Sequence, residues 1–256
     1  MEGYDAGVLV VVTGGTGVLG SRVAGILRDR GHQVRAVSRR SGDLRVDITT
    51  AEGLPQAMDG AEAVVHCATS STRPGQVDLT GTRRLVEAAR EVGVRHLVYP
   101  GIVGSELIPL RYYRAKTASE DLVAGSGMGW TILRSTQFHQ LLWKGLELLA
   151  RLPVMVVPGN TRFQPIDPMV VARLLADAVE AGPRGRMPDV GGRYIYTTRD
   201  LARSYLGATG RRRLVVAVDY PGLGAAAFRA GANLTPNRDA EGETWNQFVA
   251  RQMAAQ

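Results

Sequence analysis

The sequence predicts an α/β protein built on a doubly wound parallel sheet, with a smaller C-terminal lobe. Two observations predict this class. Apolar runs typical of buried strands alternate with helical patterns through the first half of the chain. A glycine-rich segment, TGGTGVLG, lies between the first strand and the first helix. Because strands that alternate with helices are joined by right-handed crossovers, they form a parallel sheet with helices on both faces.

The elements are expected in the following order. The run Val8 to Val12 is the first strand, and the helix after it places Leu19, Val23 and Leu27 on one face. A later helix over 79–93 ends on a glycine, which favours helix ends. The remaining strands are predicted at 33–37, 44–46, 63–66, 94–100 and 130–135, and the remaining helices at 112–127, about 141–149 and 168–181.

The composition excludes several classes of function. The 256 residues carry a formal net charge of +7, but the arginines are scattered without a basic stripe, so we expect no nucleic-acid partner. No apolar run is long enough to span a membrane, and the opening MEGYDAG lacks the features of a signal peptide. We therefore expect a cytoplasmic protein without a membrane partner. The single Cys67 excludes an intrachain disulfide, and no cluster has metal-ligand spacing, so no metal is expected.

The glycine-rich segment predicts a dinucleotide site. Gly14 and Gly17 permit a tight turn and a close approach of backbone to a pyrophosphate, while Gly20 lets the helix pack closely. The amino end of the helix offers free N–H groups to the anion. The cofactor-binding residues of this loop are predicted to be Gly14, Thr16, Gly17, Val18 and Leu19.

The end of the second strand distinguishes the two nicotinamide cofactors. NAD sites usually carry an acid here for the ribose hydroxyls, whereas a 2′-phosphate is met by arginine. This chain has Ser38, Arg39 and Arg40 at that place. We therefore predict NADP as the cofactor, with Asp47 and Ile48 beside the adenine. An exposed arginine pair without a ligand is the alternative.

The domain boundary is expected near residue 150. Beyond about residue 140 the alternation weakens and glycine- and proline-rich connections appear. We predict an NADP-binding domain over 1–150 and a substrate-binding lobe over 151–256, with some elements returning to the core. Either a monomer or a homodimer is compatible with the sequence.

Several segments together resemble a known family. TGGTGVLG, VDITT, VDLTGTRRLVEAA, RHLVYPGIVG, YYRAK, WTILRSTQF and FQPIDPMVVA occur in the order expected of NmrA-like atypical short-chain dehydrogenases. They are similar to its triphenylmethane-reductase-like and quinone-reductase-like branches. The resemblance covers nearly the whole chain. It implies a Rossmann fold, NADP(H) binding and often reductase activity, although some members sense the cofactor without turnover.

The resemblance also implies a catalytic Tyr-x-x-x-Lys pair, which is present as Tyr112 and Lys116. The four-residue step places both on one helical face, where the ammonium can bind the nicotinamide ribose and lower the pKa of the phenol. Packing at the start of the helix is the alternative for Tyr112. The family's serine is replaced by Gly101, and Ser105 is a weak substitute.

The segment after the fourth strand is expected to contact the cofactor. It contains Cys67, Ala68 and Thr69, whose small side chains suit a close approach at the carboxyl edge of the sheet. A reactive thiol is the weaker interpretation of Cys67, since small buried cysteines are common.

The segment after the sixth strand is expected to border the nicotinamide and the substrate. Gln137 and Phe138 are assigned to cofactor binding. His139 is a candidate catalytic proton donor in place of the missing serine, and a packing histidine is the alternative.

These residues predict an NADPH-dependent oxidoreductase that transfers hydride to a small, conjugated, largely apolar acceptor such as a quinone, an enone or an aromatic polyketide-like compound. A conjugated acceptor spreads the charge it gains and needs little help from a positioned acid. Two alternatives remain open: an NADP-binding redox sensor without turnover, and a non-redox isomerase, cyclase or dehydratase.

Overall fold

The computed structural model describes residues 7–239 and 241–255. Residues 1–6, on which the expectation of no signal peptide partly rests, lie outside the described residues. The helices and strands follow in the order β1 Leu9–Thr13, α1 Gly20–Asp29, β2 Gln33–Ser38, β3 Leu44–Arg45, α2 Leu54–Met58, β4 Ala63–His66, a π-helical segment Gly75–Gly81, α3 Thr82–Glu91, β5 His96–Ile102, α4 Arg111–Ala124, β6 Gly129–Ser135, α5 His139–Leu149, β7 Val154–Pro158, β8 Arg162–Phe163, α6 Pro168–Ala181, β9 Gly185–Arg186, β10 Tyr196–Thr197, α7 Thr198–Thr209, β11 Leu214–Val218, α8 Leu223–Arg229 and α9 Trp245–Ala254.

The chain divides into two compact units. Unit 1 consists of residues 7–101, Leu110–Arg134 and Val171–Pro188, and unit 2 consists of Ile102–Pro109, Ser135–Val170 and the described residues from Asp189 onward. This division differs from a single boundary at residue 150. Residues 171–188 belong to unit 1 because β9 pairs with β6 and because Arg30 forms ion pairs with Asp177 and Glu180 on α6.

Unit 1 contains a seven-stranded sheet in the order β3-β2-β1-β4-β5-β6-β9. The pairs β1–β2, β1–β4, β2–β3, β4–β5 and β6–β9 are parallel. The residues of β4 are buried throughout, as expected for a strand covered on both faces. The predicted doubly wound fold is confirmed. Strand order reverses between β1 and β4, and the carboxyl ends of these two strands form the crevice where such sheets bind ligands.

One helix of unit 1 departs from the prediction. The helix expected over 79–93 begins earlier, as the π-helical segment Gly75–Gly81, and becomes α-helical only from Thr82. A Cβ on Gly81 would lie 2.7 Å from Cδ1 of Ile48, so only glycine allows the segment to pack this closely. π-Helical turns occur frequently at functional sites, and this one carries the buried Asp78.

Unit 2 combines two small sheets with three packed helices. β7 pairs in parallel with β11, and β8 pairs antiparallel with β10. α5, α7 and α9 enclose an aromatic core that includes Trp143, Tyr205, Trp245 and Phe248. α7 and α9 are not predicted from the sequence, although each begins with a capping box, formed by Thr197 with Asp200 and by Thr244 with Gln247.

No helix in the described ranges reaches the length and hydropathy that a membrane span requires.

Candidate active site

The glycine loop connects β1 to α1 at the carboxyl edge of the sheet in unit 1. Gly14 has a φ of +63°, in the left-handed region that favours glycine, and a Cβ there would lie 2.8 Å from the amide nitrogen of Ala68. A Cβ on Gly20 would overlap the carbonyl group of Gly14. The glycines therefore bring the start of α1 and the segment after β4 against the end of β1.

The outer side of this loop is open and can accept an anion. Gly17 is exposed, and the atom nearest to a Cβ built on it is the carbonyl oxygen of Gly14, at 3.1 Å. Thr16 and Val18 are exposed as well. The amide N–H groups of Val18 and Leu19 have no hydrogen-bond acceptor within the described part of the chain, and no side chain caps α1. Free N–H groups at a helix amino end bind phosphate.

The end of β2 presents two cations. Arg39 and Arg40 are exposed. The Ser38 hydroxyl donates to the carbonyl oxygen of Ser41 and accepts from the Ser41 amide at 3.2 Å, so it is engaged within its own turn.

The nearest acid in this turn is also engaged. One carboxylate oxygen of Asp43 accepts from the amide of Ala36 at 2.7 Å and forms a 2.6 Å ion pair with Arg28. This carboxylate therefore belongs to the turn itself, and Arg39 and Arg40 carry the available charge at the end of β2.

Asp47 follows β3 and is held by its own loop. One carboxylate oxygen accepts from the amide and the hydroxyl of Thr49, at 2.8 and 2.7 Å. Burial acts to raise the pKa of Asp47, but these hydrogen bonds and the positive charges of Arg39 and Arg73 outweigh it and hold the pKa below its usual value. Arg73, which the sequence did not single out, therefore adds a further cation near Arg39. Ile48 is buried beside Asp47.

The segment after β4 faces the glycine loop across the strand-order reversal. Ala68 contacts the loop through its backbone, as described for Gly14. Burial raises the pKa of the Cys67 thiol to about 12, although the Lys116 ammonium acts to lower it. Cys67 is thus a neutral thiol at physiological pH, and its surroundings do not activate it as a nucleophile.

Lys116 is a buried ammonium on α4. Its Nζ donates to the carbonyl oxygen of Pro100 at 2.9 Å and lies 4.1 Å from the centre of the Tyr99 ring. The side chain is only 4% exposed, so its charge acts in a poorly solvated environment. Its charge acts to lower the pKa of Tyr112, although burial of the phenol outweighs this effect.

Tyr112 lies one helical turn before Lys116, and its hydroxyl is 3.0 Å from the hydroxyl of Thr69. Thr69 in turn donates to a carboxylate oxygen of Asp78 at 2.5 Å. The other carboxylate oxygen of Asp78 accepts from the amide of Ser70 at 3.0 Å. Thr69, which the sequence assigned to the cofactor, and Tyr112, which it assigned to catalysis, therefore meet in one hydrogen-bonded chain.

Asp78 is the member of this chain that sequence reasoning missed. It is completely buried, and burial raises its pKa despite the opposing effects of Lys116 and of its hydrogen bonds. Burial likewise raises the pKa of Tyr112, although Lys116 and the hydrogen bond between Tyr112 and Thr69 act against it. The sequence did contain a signal for Asp78, because an acidic residue between two apolar residues, as in the segment VDL, is often buried and functional.

Gly101 occupies the position of the missing serine, and the structure explains the replacement. A Cβ at this position would overlap a carboxylate oxygen of Glu120 and lie 2.7 Å from Cγ of Arg134. These two side chains form a buried ion pair with Nη2–Oε2 and Nε–Oε2 distances of 2.6 and 2.9 Å. The ion pair fills the space that a serine side chain would need.

His139 lies in unit 2, at the start of α5. Its ring is completely buried and stacks on Phe248 with a centroid distance of 5.2 Å, with Trp245 at 6.2 Å. Burial lowers the pKa of His139 to about 4, although nearby carboxylates act to raise it. This is the environment of a neutral packing histidine.

The neighbouring candidates in unit 2 are also largely packed. Gln137 is buried, and its Oε1 accepts from Nδ2 of Asn233 at 3.4 Å, while its Nε2 has no partner in the described ranges. Phe138 directly precedes α5, and its backbone forms an isolated parallel β-bridge with that of Ile166. Ser105 is buried, with its hydroxyl 3.4 Å from the carboxylate of the adjacent glutamate.

No group of three or more potential metal ligands occurs among the described residues.

The fold and the glycine loop define a dinucleotide-binding protein of the doubly wound class. A family model described as NAD(P)H-binding matches residues 14–147, which is more than half of the chain. The chain belongs to this NAD(P)H-binding family. The predicted resemblance to NmrA-like, quinone-reductase-like proteins is confirmed as membership of an NAD(P)H-binding family.

Relatives and solved structures agree with this assignment. A reductase of (4-alkanoyl-5-oxo-2,5-dihydrofuran-3-yl)methyl phosphate from Streptomyces griseus is 30% identical over 219 residues, which cover 79% of this chain and 74% of that protein. Photosystem II assembly factor Ycf39 from Cyanophora paradoxa is 29% identical, covering 64% of this chain and 57% of that protein. The structure resembles an NADPH-dependent quinone oxidoreductase from Escherichia coli, solved with NADPH, with a TM-score of 0.72 and 17% identity over 95% of this chain and 99% of that one. The chain spans little more than half the length of Ycf39.

Proposed function

We propose that this protein is an NADPH-dependent oxidoreductase that transfers hydride to a conjugated, largely apolar acceptor. One observation carries the proposal. The Tyr112 hydroxyl, one turn from the buried Lys116, is held 3.0 Å from the hydroxyl of Thr69, which follows β4 at the ligand-binding crevice. A proton donor and a cation beside a dinucleotide site are the parts that a reductase of this class requires.

The residues of unit 1 fit NADP(H). The open backbone at Gly17 and the unsatisfied N–H groups of Val18 and Leu19 suit the pyrophosphate. Arg39 and Arg40, exposed at the end of β2, suit a 2′-phosphate. When bound, NADPH supplies the hydride that reduces the acceptor.

Tyr112 is the proton donor in this proposal. While Thr69 donates its hydrogen to Asp78, the Tyr112 hydroxyl donates to Thr69, and this contact holds the phenol in place until its hydrogen turns to the acceptor. Because burial raises the pKa of Tyr112, the phenol stays protonated near neutral pH. After it gives up its proton, the Lys116 ammonium stabilises the phenolate.

Protonation of Asp78 would reverse the direction of these two hydrogen bonds, so that Asp78 donates to Thr69 and Thr69 donates to the Tyr112 phenolate. A proton would then pass through Thr69 to the phenolate and leave Asp78 as a carboxylate. The raised pKa of Asp78 favours this exchange. In this proposal Asp78 and Thr69 orient Tyr112 and return a proton to it, and neither of them contacts the acceptor.

The replacement of the serine favours a conjugated acceptor. With Gly101 in that position, no side chain there polarises a carbonyl group, and the acceptor must disperse the charge that it gains. The Streptomyces griseus relative is named for a substrate with this chemistry, since its ring double bond is conjugated with two carbonyl groups. We therefore assign quinones, enones and acyl-substituted dihydrofuranones as the acceptor class.

NADPH absorbance, followed with a panel of these acceptors and with saturated analogues as controls, tests the proposal. We expect oxidation of NADPH only with conjugated acceptors, and slower oxidation in each of the single variants Tyr112→Phe and Lys116→Met. A flat trace with every acceptor would refute the reductase.

A second candidate is a redox sensor that binds NADP(H) without turnover. It is favoured by a row of exposed aliphatic side chains on β7 and β11, which could contact a protein partner: Val154, Val156, Leu214, Val216 and Val218. Tight NADPH binding by calorimetry, combined with no oxidation by any acceptor, distinguishes it from the reductase.

A further inference from the structure

Unit 2 contains a second polar cavity, separate from the dinucleotide-binding residues of unit 1. Its volume is about 600 Å³, within the usual range for small-molecule sites. It lies where β7 and β11 end in parallel and where α7 begins. Its lining residues include Arg162, Arg199, Arg229 and Asp219.

The three arginines carry charge that the protein does not neutralise. Within the described ranges none of them has a carboxylate at ion-pair distance, and only Arg229 has a hydrogen-bond acceptor, the carbonyl oxygen of Tyr220 at 2.8 Å. The single acid of the cavity, Asp219, accepts from the side-chain amide of Asn160 at 2.9 Å. Three cations and one engaged acid therefore give the cavity a positive potential.

The floor of the cavity is built of buried backbone and hydroxyl groups. Thr198 donates through both its amide and its hydroxyl to the carbonyl oxygen of Thr161, at 3.1 and 3.0 Å. Asn160 has a φ of +49°, in the left-handed region. These hydrogen bonds hold the loop before Arg162 against the start of α7, which carries Arg199.

We propose that this cavity binds the phosphate group of a small organic phosphate ester. Guanidinium groups bind phosphate oxygens in a bidentate manner. Three of them around one concavity match the double negative charge of a phosphate ester better than the single charge of a carboxylate ligand. The volume leaves room for an organic group beside the phosphate.

Calorimetric titration with phenyl phosphate, inorganic phosphate and benzyl alcohol tests the cavity, using protein with and without saturating NADP⁺ so that binding at the dinucleotide site is recognised. We expect phenyl phosphate to bind with NADP⁺ present and benzyl alcohol not to bind. Arg162→Ala and Arg199→Ala should each weaken phenyl phosphate about tenfold or more. Arg151→Ala, an exposed arginine of unit 2 outside the cavity, should leave the affinity unchanged.

Three outcomes would overturn the inference. These are no phenyl phosphate binding by the parent protein, binding that NADP⁺ abolishes, and equal affinity in the cavity variants and the control. Failure of the proposed function has a different signature, because NADPH would then stay unoxidised while phenyl phosphate still bound. In that case the cavity would remain a phosphate-ester site.

Discussion

Restoring the family's serine at Gly101 is expected to damage this protein instead of improving it. The side chain of Gly101→Ser would overlap the carboxylate of Glu120 and approach Cγ of Arg134 to 2.7 Å or less. Neither group can move aside freely, because the pair is buried at 6% and 4% side-chain exposure and held by Nη2–Oε2 and Nε–Oε2 contacts of 2.6 and 2.9 Å.

The expected loss of stability follows from this ion pair. Breaking a buried salt bridge costs roughly 3–5 kcal/mol, because charges are left without partners in a poorly solvated environment. Taking about 3 kcal/mol, and about 2–4 °C for each kcal/mol in a chain of this size, the unfolding midpoint should fall by about 6–12 °C. The new hydroxyl should bring no gain in reduction of simple ketones, since the displaced carboxylate competes for it.

Thermal unfolding followed by circular dichroism, with NADPH turnover in parallel, measures both effects. Gly25→Ser is the matched control, because a Cβ at this α1 position of the same unit meets no atom within 4 Å. Its midpoint should change by no more than about 2 °C, since serine is tolerated better than glycine inside a helix. A Gly101→Ser protein as stable as this control, or one that gains ketone reductase activity, would refute the steric argument.

Three further predictions follow from the two units. Arg39→Ala should weaken NADPH by about 1.5–3 kcal/mol and leave NADH nearly unchanged, as measured by calorimetry, because only the 2′-phosphate loses a charged hydrogen bond; equal losses would remove the case for NADP. Thr69→Val should lower kcat about tenfold or more with little change in the KM for NADPH, because it cuts the link between Tyr112 and its carboxylate partner; an unchanged kcat would exclude that link. Because the folded-state pKa of His139 is about 4, below its unfolded value of 6.5, its contribution to stability is present above pH 6.5 and is lost as the pH falls towards 4. His139→Phe, which keeps the stacking on Phe248, should therefore reduce the acid-side loss in urea unfolding and keep turnover; loss of turnover would identify His139 as a proton donor.

The glycine loop and the arginines after β2 could be located from the sequence because their signals are local in the chain. Gly14, Gly17 and Gly20 act through backbone geometry at a single strand–helix junction, and Arg39 follows directly from the end of β2. Short-range spacing is enough for such features, since the elements that carry them are already set by hydrophobic periodicity.

The hydrogen-bonded chain from Tyr112 to Asp78 depends on contacts between distant parts of the sequence. Asp78 reaches Tyr112 only through Thr69, and the two hydroxyls that meet there are 43 positions apart. No spacing rule predicts such a chain, because it requires the π-helical turn and the start of α4 to be placed on the sheet first.

The sequence by itself determined the doubly wound sheet and the glycine loop, because hydrophobic periodicity and a strand–helix junction act over a few residues. The pairing of Tyr112 with Lys116 came from the family resemblance, and helical register only places the two on one face. Tertiary structure alone decided why Gly101 cannot be serine and where unpaired arginines surround a cavity. The Gly101 contacts and the lining of the cavity depend on which side chains folding packs against each other, and these side chains come from residues far apart in the chain.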